Sequence, residues 1–577
     1  MLETFVPEKI KEYTKGELNV LCDELRNLIY QTVTTCGGHL ASNLGAVEST
    51  VALFYVFDFP KDRIIFDVGH QCYPYKLLSG RYDRFSTLRQ AGGISGFPKR
   101  MESEYDAYDT GHAGTSVSAA IGYAKAFELL GEDRTVIAYI GDGSFNNGLV
   151  YEALNSLKIL NTKVLIILND NGMSISPTVG GMYEILSTIQ SDNTQEKISL
   201  LESFGLTYIG VRNGNDVEEM IDALKEAKTL LQEQSVLLHI STKKGKGYEF
   251  SEEHPTDTHG IPPVGSPKER EYSEVLGETL CDLAKNDRTI SVVSAAMKES
   301  LGLSTFFKEY PERAFDVGIC EENASVLCAA MAAGGLKPYY AIYSTFLQRA
   351  FDEIIHDVCA QDLPVTFCID RAGISGADGE THQGVFDLSY LSLIPNLTIA
   401  VPKDTEEYRS FLKFSADFSH PLAIRYPRAG KLLFDKNTPI LLGKWEYLHR
   451  ENPDKQSKVT VIACGERCLI LAMKTLKKLQ EKGKGFDVVN ARFVKPLDLA
   501  FLKNLESEYV VTMEDNVLFG GLGSMIDTQA IALGKRVKIK NFAYKDEFIV
   551  QGSVAELQKE YGVDAEEIGS FIERVLE

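Results

Sequence analysis

Short apolar runs that end in Gly, Asp or Asn alternate along the chain with stretches of helical spacing, the pattern of parallel strands buried on both faces by covering helices. The first series predicts strands at 135–140, 164–168 and 236–240, with a crossover helix over 150–160 between the first two. A polar, proline-bearing stretch at 251–271 interrupts the pattern and predicts a first boundary. A second series predicts strands at 290–293, 339–342, 365–369, 397–401 and 422–426, and a loop rich in Gly, Lys and Asp at 430–438 predicts a second boundary. A third series follows at 459–463, 486–490, 509–513 and 537–539. The expected fold class is therefore α/β, with mostly parallel sheets flanked by helices in three domains, 1–270, 271–436 and 437–577.

Length agrees with that division, since 577 residues at roughly 150 per domain make three or four domains. Charge narrows the partners: 60 Lys and Arg against 81 Asp and Glu give −21, which argues against general attraction to nucleic acid or an anionic membrane and means that an anionic ligand needs a local site. The ten cysteines are scattered without a Cys-x-x-Cys pair and read as reduced, mostly buried thiols. With no basic-then-apolar leader and no apolar run near the ~20 residues of a membrane span, the expected location is cytoplasmic.

The strongest chemical signal is Gly141-Asp142-Gly143-Ser144 after one predicted strand and Asn169-Asp170-Asn171-Gly172-Met173 after the next, with Asp142 and Asn171 29 positions apart. Either string alone is equally a turn. A strand, crossover helix and parallel strand set two such ends side by side at the carboxyl edge, where open α/β sheets bind ligands. A carboxylate and an amide oxygen there suit a hard cation such as Mg²⁺, and the glycines let backbone approach a diphosphate.

That pair is the thiamine diphosphate signature, and the chain as a whole resembles the 1-deoxy-D-xylulose-5-phosphate synthases. The resemblance rests on Gly37-Gly38-His39, Phe66-Asp67-Val68-Gly69-His70-Gln71, Thr242-Lys243-Lys244-Gly245-Lys246-Gly247-Tyr248 and Tyr343-Ser344-Thr345-Phe346-Leu347-Gln348-Arg349. It continues through Asp370-Arg371-Ala372-Gly373, Gly376-Ala377-Asp378-Gly379, Thr381-His382-Gln383-Gly384, Arg425-Tyr426-Pro427-Arg428 and Arg492-Phe493-Val494-Lys495-Pro496-Leu497-Asp498.

The resemblance implies a transketolase-like fold with diphosphate-binding, pyrimidine-binding and C-terminal domains, a homodimer, and thiamine diphosphate with Mg²⁺ as cofactors. The implied reaction condenses pyruvate with D-glyceraldehyde 3-phosphate into 1-deoxy-D-xylulose 5-phosphate and CO₂, feeding isoprenoid precursors, thiamine and pyridoxal phosphate. Carried over by residue, Mg²⁺ falls to Asp142, Asn171 and the Met173 carbonyl, and the cofactor to His70, Gly111, His112, Ala113, Gly143, Ser144, Asn171, Tyr248 and Phe346. Glu321 stands beside the aminopyrimidine, where a carboxyl group promotes the tautomer that activates the ring. His39, His259 and His382 are the remaining catalytic candidates, and Tyr343, Arg349, Arg371, Asp378 and Arg425 face substrate, with Arg371 and Arg425 expected on its phosphate.

Two departures stand out. Glu321-Glu322-Asn323 replaces the family's usual Glu-Gln-His, and Glu322 is expected to point away from the site. The long insertion common after Met-Ser-Ile-Ser is missing between Ser176 and Phe204, which bears on how the site is covered. Neighbouring readings are a transketolase, a pyruvate-type decarboxylating component, or a cofactor-binding paralogue of weak activity.

Overall fold

The computed structural model describes residues 1–192, 194–266, 271–430, 434 and 438–577. The two expected boundaries, at 270/271 and 436/437, lie at or within segments outside the described residues. The chain folds as two compact units, one of Met1–Pro267 with Gly318–Cys320 and Ala377–Thr381, the other of the remaining residues.

The first unit carries β1 (Arg63–Phe66), β2 (Val136–Gly141), β3 (Leu165–Asp170), β4 (Leu206–Asn213) and β5 (Ser235–Ser241), paired in parallel in the order β1-β2-β3-β5-β4. Its apolar runs are continuous because successive side chains enter cores on opposite faces. Ile137, Tyr139, Leu165 and Ile167 pack on one side, and Val136, Ala138, Ile140, Ile166 and Leu168 on the other. Helix Gly148–Leu160 makes the crossover between β2 and β3, with the Asn147 side chain accepting the Leu149 N–H at its start.

Part of the 251–271 stretch is tied back to the first unit. Gly38 pairs with Ile261, and the N–H groups of Leu40 and Ala41 donate to the carbonyls of His259 and Thr258. Residues 258–261 are therefore stitched to 38–41.

A buried ionic knot holds the segment after β1. Arg81 forks onto both Asp106 oxygens (2.7 and 2.8 Å) and reaches Glu102 (2.9 Å), which also takes Lys76 (2.5 Å). Asp106 and Glu102 in turn accept the N–H groups of Lys99 and Ser95. Arg81→Ala leaves these carboxylates buried without their fork and is expected to cost about 3–5 kcal/mol, read as a lower urea midpoint for the transition that includes this unit. An unchanged midpoint would show the knot to be dispensable.

The second unit carries β6 (Ile290–Ser294), β7 (Ala314–Asp316), β8 (Lys337–Tyr343), β9 (Thr366–Asp370), β10 (Thr398–Ala400), β11 (Leu422–Arg425), β12 (Glu446–His449), β13 (Val459–Ala463), β14 (Asp487–Asn490), β15 (Phe493–Lys495), β16 (Tyr509–Val517) and β17 (Lys538–Tyr544). They form two sheets, β15-β10-β11-β9-β8-β6-β7 and β12-β14-β13-β16-β17, parallel except for the β10–β15 and β12–β14 pairs. β15 lies within the expected third domain yet pairs with β10 of the second series. All ten cysteines are free thiols, eight of them buried. Among the described residues, no helix is long and apolar enough to cross a membrane.

Candidate active site

In the first unit, Gly141 at the end of β2 pairs with Asn169 near the end of β3, so the short helix Asp142–Phe145 and the turn bearing Asn171 leave the same sheet edge. Asp142 is buried. Its Oδ2 accepts the Thr178 hydroxyl (2.7 Å), and its Oδ1 has no hydrogen-bond partner. Burial, and then the neighbouring Asp170 charge, push its carboxyl well above the usual range. A buried carboxyl with an unused oxygen suits a cation, and the Asn171 amide and Met173 carbonyl offer matching hard donors. Asn171 Oδ1 already accepts the Met173 N–H (3.1 Å), which fixes the turn and leaves a lone pair. Among the described residues there is no group of three His, Cys, Asp or Glu able to hold a metal, so a cation here takes mixed oxygen donors. Gly143 packs so closely that a Cβ would stand 2.8 Å from Ser174 Cβ.

Behind this edge, Asp67 accepts the N–H groups of Gly114 (2.8 Å) and Ser116 (3.0 Å) and the Ser144 hydroxyl. It thereby fixes the Gly111-His112-Ala113 segment relative to Ser144. His112 Nε2 lies 2.7 Å from the Thr381 carbonyl, and Gly111 packs on the Thr381 side chain.

His39, His70 and His259, drawn from three distant segments, form a triangle with ring centroids 5.3 to 5.6 Å apart. Burial, the Lys244 charge and the other two rings hold His259 well below the ordinary imidazole range. Asp378 is held by Arg89 (2.6 Å) and Glu380 by Lys99 (2.7 Å). Tyr248 is tied to helix Lys15–Cys36, stacking on Tyr30 (4.1 Å) and donating to Asn27 Oδ1 (3.0 Å).

Sequence reasoning passed over Lys244. Its amine is buried, donates to the Ser174 carbonyl, and is pulled down to about 8 by burial against the opposing pull of Asp142. The signal was available: Lys243-Lys244-Gly245-Lys246-Gly247 follows β5, which pairs with β3.

In the second unit, Glu321 opens helix Glu321–Ala333 and is buried. Its Oε2 has no hydrogen-bond partner and lies 4.0 Å from Arg349 Nη1. Burial pushes its carboxyl up to about 7 against the Arg349 charge, with Glu322 adding a smaller upward push. Glu322 is half-buried and Asn323 exposed. Tyr343 and Phe346 stack (5.7 Å), His382 stands edge-on to Phe346 (5.6 Å), and the Arg371 guanidinium covers Tyr343 (4.2 Å). Arg371, at φ +54°, is gripped by Asp370 (2.5 Å). Arg425 is buried, and its hydrogen bonds leave from Nε to Asp387 (2.7 Å) and from Nη2 to the carbonyls of Gly384 (3.2 Å) and Asp515 (2.6 Å).

The family model described as 1-deoxy-D-xylulose-5-phosphate synthase matches residues 3–200 and 194–242. Models of the transketolase pyrimidine-binding and C-terminal domains match 268–430 and 447–568. The chain is 43% identical to the 1-deoxy-D-xylulose-5-phosphate synthase of Clostridium botulinum over 612 aligned positions, covering 98% of each protein. It is 44% identical to the synthase of Clostridium beijerinckii over 614, again covering 98% of each. A crystal structure of transketolase from Campylobacter jejuni aligns with 98% of this chain and 99% of its own at 20% identity and a TM-score of 0.44.

Alignments longer than the chain, and a first model matched in two pieces meeting at 194–200, agree with a segment missing between Ser176 and Phe204. There the chain instead forms helices Gly181–Asp192 and Gln195–Glu202, which bury Leu186, Ile189, Ile198 and Leu201 in the core. The chain belongs to the 1-deoxy-D-xylulose-5-phosphate synthase family.

Proposed function

We propose that the chain catalyses the thiamine diphosphate-dependent, decarboxylating condensation of pyruvate with D-glyceraldehyde 3-phosphate, giving 1-deoxy-D-xylulose 5-phosphate and CO₂. The observation that carries this reading is a pair of buried carboxyls, each with an oxygen lacking a hydrogen-bond partner: Asp142 Oδ1 and Glu321 Oε2. The first suits a cation and the second a polar ring nitrogen.

Asp142, the Asn171 amide oxygen and the Met173 carbonyl hold Mg²⁺. His70, Gly111, His112, Ala113, Gly143, Ser144, Tyr248 and Phe346 line the cofactor, and Lys244 adds positive charge where a chain of −21 must accept a diphosphate. When bound, thiamine diphosphate supplies the electron sink that lets CO₂ leave. Glu321, at about 7, holds or releases a proton near neutral pH and so donates to, or accepts from, the aminopyrimidine.

His259, whose ring burial holds well below the ordinary imidazole range, serves with His39 and His382 the carbonyl and aldehyde oxygens of the substrates. Arg425, anchored through Nε and Nη2, and Arg371, braced on Asp370, bind the substrate phosphate as preset guanidinium groups. Tyr343, Arg349 and Asp378 complete the substrate side. The enzyme works as a cytoplasmic homodimer, a state supported by the exposed Leu129, Leu130 and Ile159.

Purified protein given thiamine diphosphate, Mg²⁺, pyruvate and glyceraldehyde 3-phosphate is expected to release CO₂ and deoxyxylulose phosphate in equal amounts. Neither product, or turnover only with a ketose phosphate donor, would reject the assignment.

A further inference from the structure

Behind the turn that carries Asn171 lies a buried polar chain that none of the roles above uses. Asp170, the last residue of β3, accepts the Gly172 N–H on Oδ1 (3.0 Å) and meets His239 Nε2 with Oδ2 (2.9 Å). His239, on the adjacent strand β5, presents Nδ1 to the Tyr208 hydroxyl of β4 (2.8 Å). Asp170 and His239 are both buried. The order β3-β5-β4 lets one side chain from each strand join a single line across the sheet.

Donor and acceptor chemistry gives that line a direction. The carboxylate can only accept and so takes Nε2–H, and in the tautomer that this selects Nδ1 accepts from the phenol. The backbone is shaped to admit the line: Gly210 has φ +147°, and a Cβ there would stand 2.6 Å from the His239 carbonyl oxygen and 3.2 Å from Tyr208 Oη.

We propose that Tyr208 and His239 are positioning residues for the cation site: they orient Asp170, and Asp170 holds the 170–173 turn in the form that presents the Asn171 amide oxygen and the Met173 carbonyl. The inference rests on the reading that Asp142, Asn171 and Met173 take Mg²⁺. It extends that reading outward, since groups that orient ligands typically contribute about 10- to 100-fold to metal affinity.

The test titrates apoprotein with Mn²⁺ in the presence of thiamine diphosphate and follows free Mn²⁺ by its paramagnetic resonance signal, with no turnover involved. His239→Ala is expected to weaken Mn²⁺ binding about 10- to 100-fold. Tyr208→Phe, which removes only the hydroxyl that sets the ring, is expected to weaken it about 3- to 10-fold while lowering the apoprotein's stability by no more than the loss of one buried hydrogen bond. His239→Gln keeps an N–H for Asp170 and is expected to recover most of the loss, which a purely structural role for the ring would not predict. Mn²⁺ binding by the unmodified protein that is indifferent to both Tyr208→Phe and His239→Ala overturns the inference alone. Failure of the unmodified protein to bind Mn²⁺ overturns the cation site and the inference together.

Discussion

Glu321→Ala is expected to slow deoxyxylulose phosphate formation by several orders of magnitude while thiamine diphosphate still binds. The Glu321 carboxyl is buried, its Oε2 lacks a hydrogen-bond partner, and Arg349 at 4.0 Å does not reverse the effect of burial, so the acid is pushed up to about 7 from 4.5. A carboxyl that exchanges its proton near neutral pH contributes about 10²- to 10⁴-fold to rate, and that is the expected loss. Glu321→Gln keeps the shape and loses the proton exchange, so it should fall with alanine in kcat.

The same shift sets a stability signature. A carboxyl whose folded pKa is raised stabilises the fold fully below its unfolded value of 4.5 and loses that contribution as pH rises through about 7. Apoprotein carrying Glu321→Gln should therefore be more stable than wild type at pH 8, by up to about 3 kcal/mol, and the gap should close towards pH 5. Wild-type turnover in Glu321→Ala would remove this carboxyl from the chemistry, and a pH-independent gap would contradict its buried, protonated state.

What the sequence revealed follows from how completely each element is buried. Strands covered on both faces announce themselves as unbroken apolar runs, so the expected 135–140, 164–168 and 236–240 meet β2, β3 and β5 within two residues at either end. β4, at a sheet edge, is half-buried along most of its length and gave no such run, and β15 has three residues before a proline. Asp142 and Asn171 were legible because their spacing matches one crossover between adjacent strands.

The histidine triangle joins residues 39, 70 and 259, and the alternation of apolar runs contains no information about such distant encounters. Likewise, the line from Asp170 to Tyr208 exists only because β5 inserts between β3 and β4. Within the 251–271 stretch, where composition predicts a boundary, backbone bonds from Gly38, Leu40 and Ala41 fasten 258–261 into the first unit, a pairing that prolines and charges do not announce.

Asp142→Asn separates cation binding from the chemistry that Glu321 serves. Asparagine matches the carboxylate in shape and can still accept the Thr178 hydroxyl that Oδ2 takes at 2.7 Å. It removes a desolvated charge that faces Asp170, so the apoprotein should fold at least as stably as wild type. The cation then loses its charged partner, and removing one member of a buried charge pair costs about 3–5 kcal/mol, or roughly 10²- to 10⁴-fold in affinity. The Mg²⁺ concentration for half-maximal activity should rise by that factor, with kcat partly recovered at high Mg²⁺, whereas Glu321 variants should lose kcat with the Mg²⁺ midpoint unmoved. The split matters because both residues are buried acids with an oxygen lacking a hydrogen-bond partner, and general damage to the fold would move both readouts together. An Asp142→Asn protein that saturates at the wild-type Mg²⁺ concentration would show that the cation is held elsewhere.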